Sequence, residues 1–190
     1  MRKVIMINRV SIDGYFASLN EVTGGMEWFV QDPEVDKAVH EPVHSDTLLL
    51  GKTTFAMFER TWVPVLEDPN APQAMKALAR ELTAMTKIVF SERLKESAWE
   101  NTEFFAGKLI DVVKKLKEGK GKDILVMGSG TIVQQLAVEG LIDEYLFIVS
   151  PVVAGAGKPL FKNLKQQNLK LLNTKSFDSG NVVLHYKRVN

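Results

Sequence analysis

The segment Ile124-Leu-Val-Met-Gly-Ser-Gly-Thr-Ile-Val-Gln-Gln-Leu136 joins an apolar run to an amphipathic run through three small residues, Gly128-Ser129-Gly130. Its first half has the pattern of a buried strand over residues 124–127, and its second half has the apolar spacing of a helix over residues 130–138. A strand that turns through glycines into a helix leaves backbone N–H groups free at the positive end of that helix. The segment therefore predicts a phosphate-binding turn and indicates an enzyme that uses a nucleotide cofactor, and a plain strand-to-helix turn is the alternative.

The same alternation of strand and helix patterns extends along the rest of the chain. Asp32, followed by Pro33, is typical of a capped helix start, and Pro42 ends that helix near His40. The predicted strands are residues 3–10, 46–50, 87–90, 99–105, 124–127 and 144–149, with a terminal hairpin of 169–177 and 182–187. This order favours a single α/β domain over residues 1–190, with a mostly parallel central sheet, helices on both faces and an antiparallel C-terminal β-hairpin.

Two segments without strong periodicity are predicted as loops. Residues 11–26 contain Asp13-Gly14 and Gly24-Gly25, and we expect a long, flexible and functional loop there. Three prolines, Pro64, Pro69 and Pro72, mark the other loop.

The composition excludes several classes of protein. The chain has 190 residues, 45% hydrophobic and 25% charged, and its net charge of +1 gives no electrostatic footprint for nucleic acid or a membrane surface. The basic cluster over residues 114–122 is interpreted as a solvated helix end. Cysteine is absent, which excludes disulfides, a thiolate nucleophile and Cys-based metal sites. With no signal-peptide core or transmembrane pattern, we expect a cytoplasmic protein.

A second turn, Gly51-Lys-Thr-Thr54, also follows a predicted strand and precedes a helix. A lysine and two hydroxyls there suit a phosphate such as the 2′-phosphate of NADPH, and simple helix capping is the alternative. Neither turn completes a known motif: Val133 stands where the Rossmann pattern needs its third glycine, and Gly51 lacks the Walker A spacing. Both turns follow parallel strands, so they share the edge at which ligands bind in open α/β sheets.

Metal and nucleophilic chemistry are disfavoured. His40-Glu41-Pro42-Val43-His44 has the letters of the H-E-x-x-H zinc motif, but Pro42 breaks the helix that would align the two histidines. We interpret them as exposed histidines at a helix end and expect no metal. Gly128-Ser129-Gly130 lacks the spacing of a hydrolase nucleophile elbow.

Several acids and aromatic rings are candidates for substrate chemistry. Asp13, Glu27, Asp32 and Asp36 lie near the predicted site, and a desolvated carboxylate can donate a proton. For Asp32, helix capping is the alternative. Trp28 and Phe55, with other aromatics near them in sequence, either line a pocket for a flat ring or belong to the core.

With these segments in place, the chain resembles the dihydrofolate reductase-like superfamily, and most closely the branch of the riboflavin-biosynthesis reductase domain. The resemblance covers nearly the whole chain. Its ordered motifs are Ser11-Ile-Asp-Gly14, Leu49-Leu-Gly-Lys-Thr-Thr54, Ile88-Val-Phe-Ser91, Val126-Met-Gly-Ser-Gly-Thr131 and Pro151-Val-Val-Ala-Gly-Ala-Gly157.

The resemblance implies NADPH as cofactor and assigns roles to residues. The implied cofactor-binding residues are Gly51, Lys52, Thr53 and Thr54 at the adenosine phosphates, Ser91 at the adenine, Gly128, Ser129, Gly130 and Thr131 at the pyrophosphate, and Ser11, Ile12 and Gly14 at the nicotinamide. Pro151 would lie near the substrate, beside Trp28 and Phe55. Asp13 is the first candidate for substrate orientation or proton relay, followed by Asp32 and Glu27.

The resulting hypothesis is an oxidoreductase that transfers hydride to a C=N or C=O group of a pteridine, pyrimidine or ribosylamino-pyrimidine, within riboflavin or folate metabolism. The alternative is a non-catalytic nucleotide- or pterin-binding protein on the same scaffold, because fold does not determine chemistry. Members of this branch are often dimers, and we expect a homodimer through an apolar edge strand.

Overall fold

The computed structural model of the chain describes residues 1–20 and 24–189. Its strands are β1 (Val4–Val10), β2 (Tyr15–Ala17), β3 (Ser45–Gly51), β4 (Thr86–Phe90), β5 (Thr102–Phe105), β6 (Asp123–Met127), β7 (Glu144–Val149), β8 (Lys158–Pro159), β9 (Leu169–Ser176) and β10 (Val182–Arg188). Its helices are α1 (Pro33–His40), α2 (Lys52–Glu67), α3 (Gln73–Ala84), α4 (Leu109–Glu118) and α5 (Gly130–Val138).

The main sheet has eight strands in the order β5-β4-β3-β6-β1-β7-β10-β9. The pairs from β5 to β7 are parallel, and β10 then pairs antiparallel with both β7 and β9. This confirms the predicted parallel sheet with an antiparallel C-terminal hairpin at one edge. The parallel order brings the carboxyl ends of β4, β3, β6 and β1 to a single edge, where open α/β sheets bind ligands.

Helices cover both faces of this sheet, and each face has its own apolar core. Alternate residues of β1 serve the two faces: Val4 and Met6 pack with α4 and α5, whereas Ile5 and Ile7 pack with α1, α2 and α3. Strands buried on both faces need continuous apolar runs, and β1, β3 and β6 have them.

The start of α1 is as predicted. The Asp32 side chain accepts a hydrogen bond from the backbone N–H of Glu34 at 2.9 Å, Pro33 is the first helical residue, and the helix ends at His40.

Three sequence predictions need correction. The predicted loop 11–26 includes residues 21–23, which lie outside the described residues, but its first part contains β2, which pairs with β8. Pro64 lies inside α2 rather than in a loop, because half-buried Phe58, Trp62 and Val63 on the same helix pack against the core. Lys117, assigned to a solvated helix end, is only 7% exposed, because its ammonium bonds the Leu141 carbonyl and the Asp143 carboxylate.

Candidate functional site

A cavity of about 1280 Å³ runs along the edge where the parallel strands end. Nine of the predicted cofactor-binding residues line it: Gly51, Lys52, Thr53, Thr54, Ser91, Gly128, Ser129, Gly130 and Thr131. They come from three separate turns that follow β3, β4 and β6. Sheet topology therefore brings residues that are up to 80 positions apart in sequence into one wall.

Ser129 links two of these turns. Its Oγ accepts a hydrogen bond from the Gly51 N–H at 2.8 Å, and its own N–H donates to the Thr54 hydroxyl at 3.1 Å. To do this, Ser129 adopts left-handed backbone angles, with φ 56° and ψ 61°, directly after Gly128 at φ 60°. A serine in this conformation is strained, and such strain is typical of functional turns.

The helices that follow these turns begin without side-chain caps. Neither Gly51 before α2 nor Ser129 before α5 donates or accepts a side-chain capping bond at its helix start. In α5 the Ile132 N–H donates to the Ser129 carbonyl at 2.8 Å, which leaves the N–H groups of Gly130 and Thr131 for a ligand. These groups, with those at the start of α2, lie at the positive end of each helix dipole. Uncapped N-termini of this kind are suited to bind phosphate.

Gly130 is required by close packing. A Cβ atom at this position would lie 2.3 Å from Cζ of Phe16, whose ring also lines the cavity. The glycine thus lets the Phe16 ring pack closely against the first residue of α5.

The cavity wall has an excess of positive charge. Lys52, Arg60, Lys108 and Lys158 line it, and none forms an ion pair within the part of the chain that the structure describes. The acids on the same wall are Glu92 and Asp36, and Asp36 is neutralised by Arg9. Several unpaired cations around two helix N-termini favour a ligand with more than one phosphate.

The cavity continues to α1, where it is lined by Asp36, one of the acids expected near the site, and by Val39 and His40, which were not expected there. Arg9, at the end of β1, bonds Asp36 at 2.5 Å between Nη2 and Oδ1. His40 lies one helical turn further, and burial lowers the pKa of its imidazole, a shift that Glu81 and Asp36 oppose. The signal was present in the sequence, since Asp36 and His40 are four residues apart and share a helix face.

The predicted catalytic acids lie elsewhere. None of Asp13, Asp32 and Glu27 belongs to the described wall of the cavity. The Asp13 carboxylate accepts hydrogen bonds from the N–H groups of Ala154 (3.0 Å) and Gly155 (2.8 Å). Its bond with Ser11 and these backbone bonds lower the pKa of Asp13 to about 2.

Asp32 is occupied as a helix cap. Besides the Glu34 N–H, it accepts a hydrogen bond from the Ser179 hydroxyl at 2.6 Å, and that bond lowers the pKa of the Asp32 carboxyl. Glu27 is exposed.

The turn that contains Asp13 holds another loop in place. The Ile12 N–H donates to the Val152 carbonyl at 2.8 Å, and the Ser11 hydroxyl accepts from the Tyr15 N–H at 2.9 Å. Ser11, Ile12 and Gly14, predicted to border the nicotinamide, lie outside the described cavity wall. In the structure, hydrogen bonds from this turn hold the loop of residues 151–157 in position.

The three predicted substrate-binding residues also lie off the described wall. Phe55 is 1% exposed, and its ring packs against Trp99 and Phe104 with centroids 6.0 and 5.6 Å apart. It is a core residue, because its position on α2 points toward the sheet. Trp28 packs over Gly157, where a Cβ would come within 2.6 Å of its ring. Pro151 is exposed, and a Cβ at Gly180 would lie 3.0 Å from its Cγ.

Neither metal nor membrane features were found in the described residues. Within residues 1–20 and 24–189, no group of three histidine, aspartate or glutamate side chains is arranged to hold a metal ion. His40 closes α1 and is half-buried rather than exposed, and His44 lies beyond the helix end. No helix in those residues has the length and apolarity needed to cross a bilayer.

Known proteins are similar to this chain in sequence and share its fold. The chain is 33% identical to the uncharacterized protein YyaP of Bacillus subtilis (strain 168), over 97% of this chain and 94% of YyaP. It matches the structure of a Shewanella sp. PV-4 protein provisionally assigned to riboflavin biosynthesis, with a TM-score of 0.70, 23% identity and 99% coverage of both chains.

A larger enzyme contains the same fold as one part. The chain matches 57% of the diaminohydroxyphosphoribosylaminopyrimidine deaminase/5-amino-6-(5-phosphoribosylamino)uracil reductase of Thermotoga maritima, with 99% of this chain covered, 16% identity and a TM-score of 0.68. The model of the RibD C-terminal domain matches residues 2–184. The chain therefore belongs to the RibD C-terminal domain family, within the dihydrofolate reductase-like superfamily.

Proposed function

We propose that this protein is an NADPH-dependent reductase that transfers hydride to a C=N or C=O group of a small heterocycle of the pteridine, pyrimidine or ribosylamino-pyrimidine type. The observation that carries the proposal is the pair of uncapped helix N-termini, at α2 and α5, which are joined through Ser129 in one cavity. The lysines and the arginine around them form no ion pair with any described residue.

The residues of this wall fit the cofactor. The backbone N–H groups at the starts of α2 and α5 would hold its phosphates, and Lys52 with the Thr53 hydroxyl would bind the 2′-phosphate. When bound, NADPH supplies the hydride. The chain contributes binding, orientation of the acceptor and control of the proton.

The part of the cavity beside α1 is where we place the heterocycle. Burial lowers the pKa of His40, which favours the neutral imidazole with one N–H donor and one acceptor. Asp36 offers carboxylate oxygens held in place by Arg9. We assign proton exchange with the substrate to this pair rather than to Asp13, which is ionised and occupied by the 151–157 loop.

The experiment is thermal unfolding of three proteins with and without NADPH. Binding of NADPH at a hundredfold excess over its dissociation constant should stabilise the wild type by about 2.7 kcal/mol. Thr131→Asp places a negative charge in the first turn of α5, which favours the helix but repels phosphate. We expect it to keep or raise the ligand-free melting temperature and to abolish the shift, whereas the neutral isostere Thr131→Asn keeps the shift.

Two outcomes separate the candidate functions. Absence of a shift with NADPH and NADH in the wild type would overturn the cofactor assignment. A shift without oxidation of NADPH by any pteridine, pyrimidine or carbonyl acceptor would support the non-catalytic binding protein instead.

We also infer a homodimer through β9. This strand is an edge of the main sheet, and its Leu171 and Leu172 side chains are 46% and 43% exposed. The strand also contains polar residues, including Lys170 and Lys175, so the two exposed leucines of this edge strand are the surface that a second copy would cover. Light scattering should give twice the monomer mass, and Leu171→Lys should reduce it to the monomer.

A further inference from the structure

One buried side chain of β1 is not explained by the fold. Along the strand, Val4, Met6 and Val10 point into the core under α4 and α5, and Asn8 occupies the same row. Asn8 is 4% exposed, and its Oδ1 has no hydrogen-bond partner among the described residues. Buried polar atoms are normally paired, and an unpaired one destabilises the folded state. Folding alone would favour an apolar residue here.

A second buried asparagine shows the usual arrangement. Asn181 is 0% exposed, and its Oδ1 accepts from the Ser150 hydroxyl at 2.9 Å. Its Nδ2 donates to the Val30 carbonyl at 3.1 Å and to the Ser179 hydroxyl at 3.0 Å. Among the described residues, the fold satisfies the amide of Asn181 and leaves the side-chain oxygen of Asn8 without a donor.

Asn8 lies on the wall of the cavity, at one end of the proposed cofactor site. Ile7 pairs with Met127, so Asn8 stands beside the Gly128 turn. The strand order β4-β3-β6-β1 places Ser91, Gly51, Gly128 and Asn8 in sequence along the edge. Neighbouring strands are about 4.8 Å apart, so this row spans roughly 14 Å.

That order sets the direction of a dinucleotide. If its phosphates lie on the turns after β3 and β6 and its adenine lies by Ser91, its other end lies at β1. The group at that end of NADPH is nicotinamide, whose planar carboxamide carries both N–H donors and a carbonyl acceptor. An asparagine amide has the same two functions and can pair with it.

We propose that Asn8 is a cofactor-binding residue whose side-chain amide pairs with the nicotinamide carboxamide and so sets the orientation of the reacting ring. This inference rests on the proposed function, because it needs NADPH in the cavity. It explains why a strand that is otherwise apolar on this face contains an amide. Occupancy of the cavity would give the Asn8 oxygen the donor that the fold does not supply.

The test uses the full chain and two ligands, NADPH and 2′,5′-ADP, which retains the adenosine phosphates and lacks nicotinamide. In Asn8→Leu, which keeps the branching and the number of side-chain heavy atoms, we expect NADPH to bind about tenfold more weakly and 2′,5′-ADP to bind as in the wild type. We also expect its ligand-free melting temperature to equal or exceed that of the wild type. Asn181→Leu is the matched control and should lower the melting temperature.

The outcomes separate the two levels of the proposal. If the wild type binds neither ligand, the cofactor assignment fails and the role of Asn8 fails with it. If the wild type binds both and Asn8→Leu binds NADPH equally well, only the role of Asn8 is overturned. A fall in melting temperature as large as that of Asn181→Leu would also overturn it. Asn8→Val, which matches Val4 and Val10, repeats the test if the leucine variant does not fold.

Discussion

The link between the two glycine turns predicts different effects for two small substitutions at Ser129. Ser129→Ala removes the Oγ that accepts the Gly51 N–H at 2.8 Å, but it keeps a Cβ on a residue at φ 56°. Ser129→Gly removes the same oxygen and also removes the left-handed strain. Comparison of the two variants therefore separates the hydrogen bond from the backbone strain.

The magnitudes follow from the two contributions. Leaving the partly buried Gly51 N–H without an acceptor costs about 1.5 kcal/mol, and a Cβ in the left-handed region costs about 1 kcal/mol. Ser129→Ala should lose about 1.5 kcal/mol of the free energy of unfolding, and Ser129→Gly about 0.5 kcal/mol. For a chain of this size, each kcal/mol corresponds to about 2–4 °C, so we expect falls of about 3–6 °C and 1–2 °C.

Urea denaturation and thermal unfolding measure both effects, and NADPH titration measures their consequence. Thr54→Val removes the acceptor of the Ser129 N–H, and its effect should not add to that of Ser129→Ala, because both act on one network. Both alanine and valine variants should bind NADPH more weakly, because the two turns lose their fixed spacing. Equal stability of Ser129→Ala and Ser129→Gly would refute the strain argument, and wild-type stability of both would refute the link itself.

Three further predictions concern single side chains. Burial lowers the pKa of Lys87 to about 8, whereas the pKa of the unfolded side chain is about 10.4. Because only the unfolded state then binds this proton, the free energy of unfolding should rise by about 2 kcal/mol between about pH 8 and 9.5. Urea titrations measure this rise, and Lys87→Met should remove it. Because the pKa of Asp13 is about 2, this residue should contribute no limb to a pH–rate profile above about pH 4. Asp13→Asn should instead speed proteolysis of the 151–157 loop, which the carboxylate holds in place. Loss of a limb near neutral pH in Asp13→Asn would contradict this prediction. Lys52→Ala should weaken NADPH binding about tenfold and leave NADH binding unchanged, and an equal loss for both would disprove contact with the 2′-phosphate.

The fold could be predicted in most of its parts because its signals are local. Continuous apolar runs predicted the buried parallel strands, and Asp32 with Pro33 predicted the start of α1. The error at Pro64 arose because a proline weakens a helix locally, whereas the packing of Trp62 and Val63 that outweighs it is tertiary.

The candidate site was predicted only where a turn follows a parallel strand. The turns at Gly51 and Gly128 line the cavity as expected, because the carboxyl ends of parallel strands meet at one edge. The roles of the acids could not be predicted in this way. Asp13 and Asp36 look alike in sequence, and the partners of their carboxylates, a loop backbone for one and Arg9 for the other, come from distant segments.

The amino-acid sequence by itself determined the strands of the main sheet, the helices between them and the positions of the glycine turns, since backbone preference and hydrophobic period act over a few neighbouring residues. Only the tertiary structure decided that Ser129 bonds Gly51, that Phe55 belongs to the core and that the oxygen of Asn8 has no partner within the described residues. Hydrogen bonding and burial depend on which segments meet in space. The sequence therefore gives the functional group of each side chain, whereas the fold determines which groups it contacts.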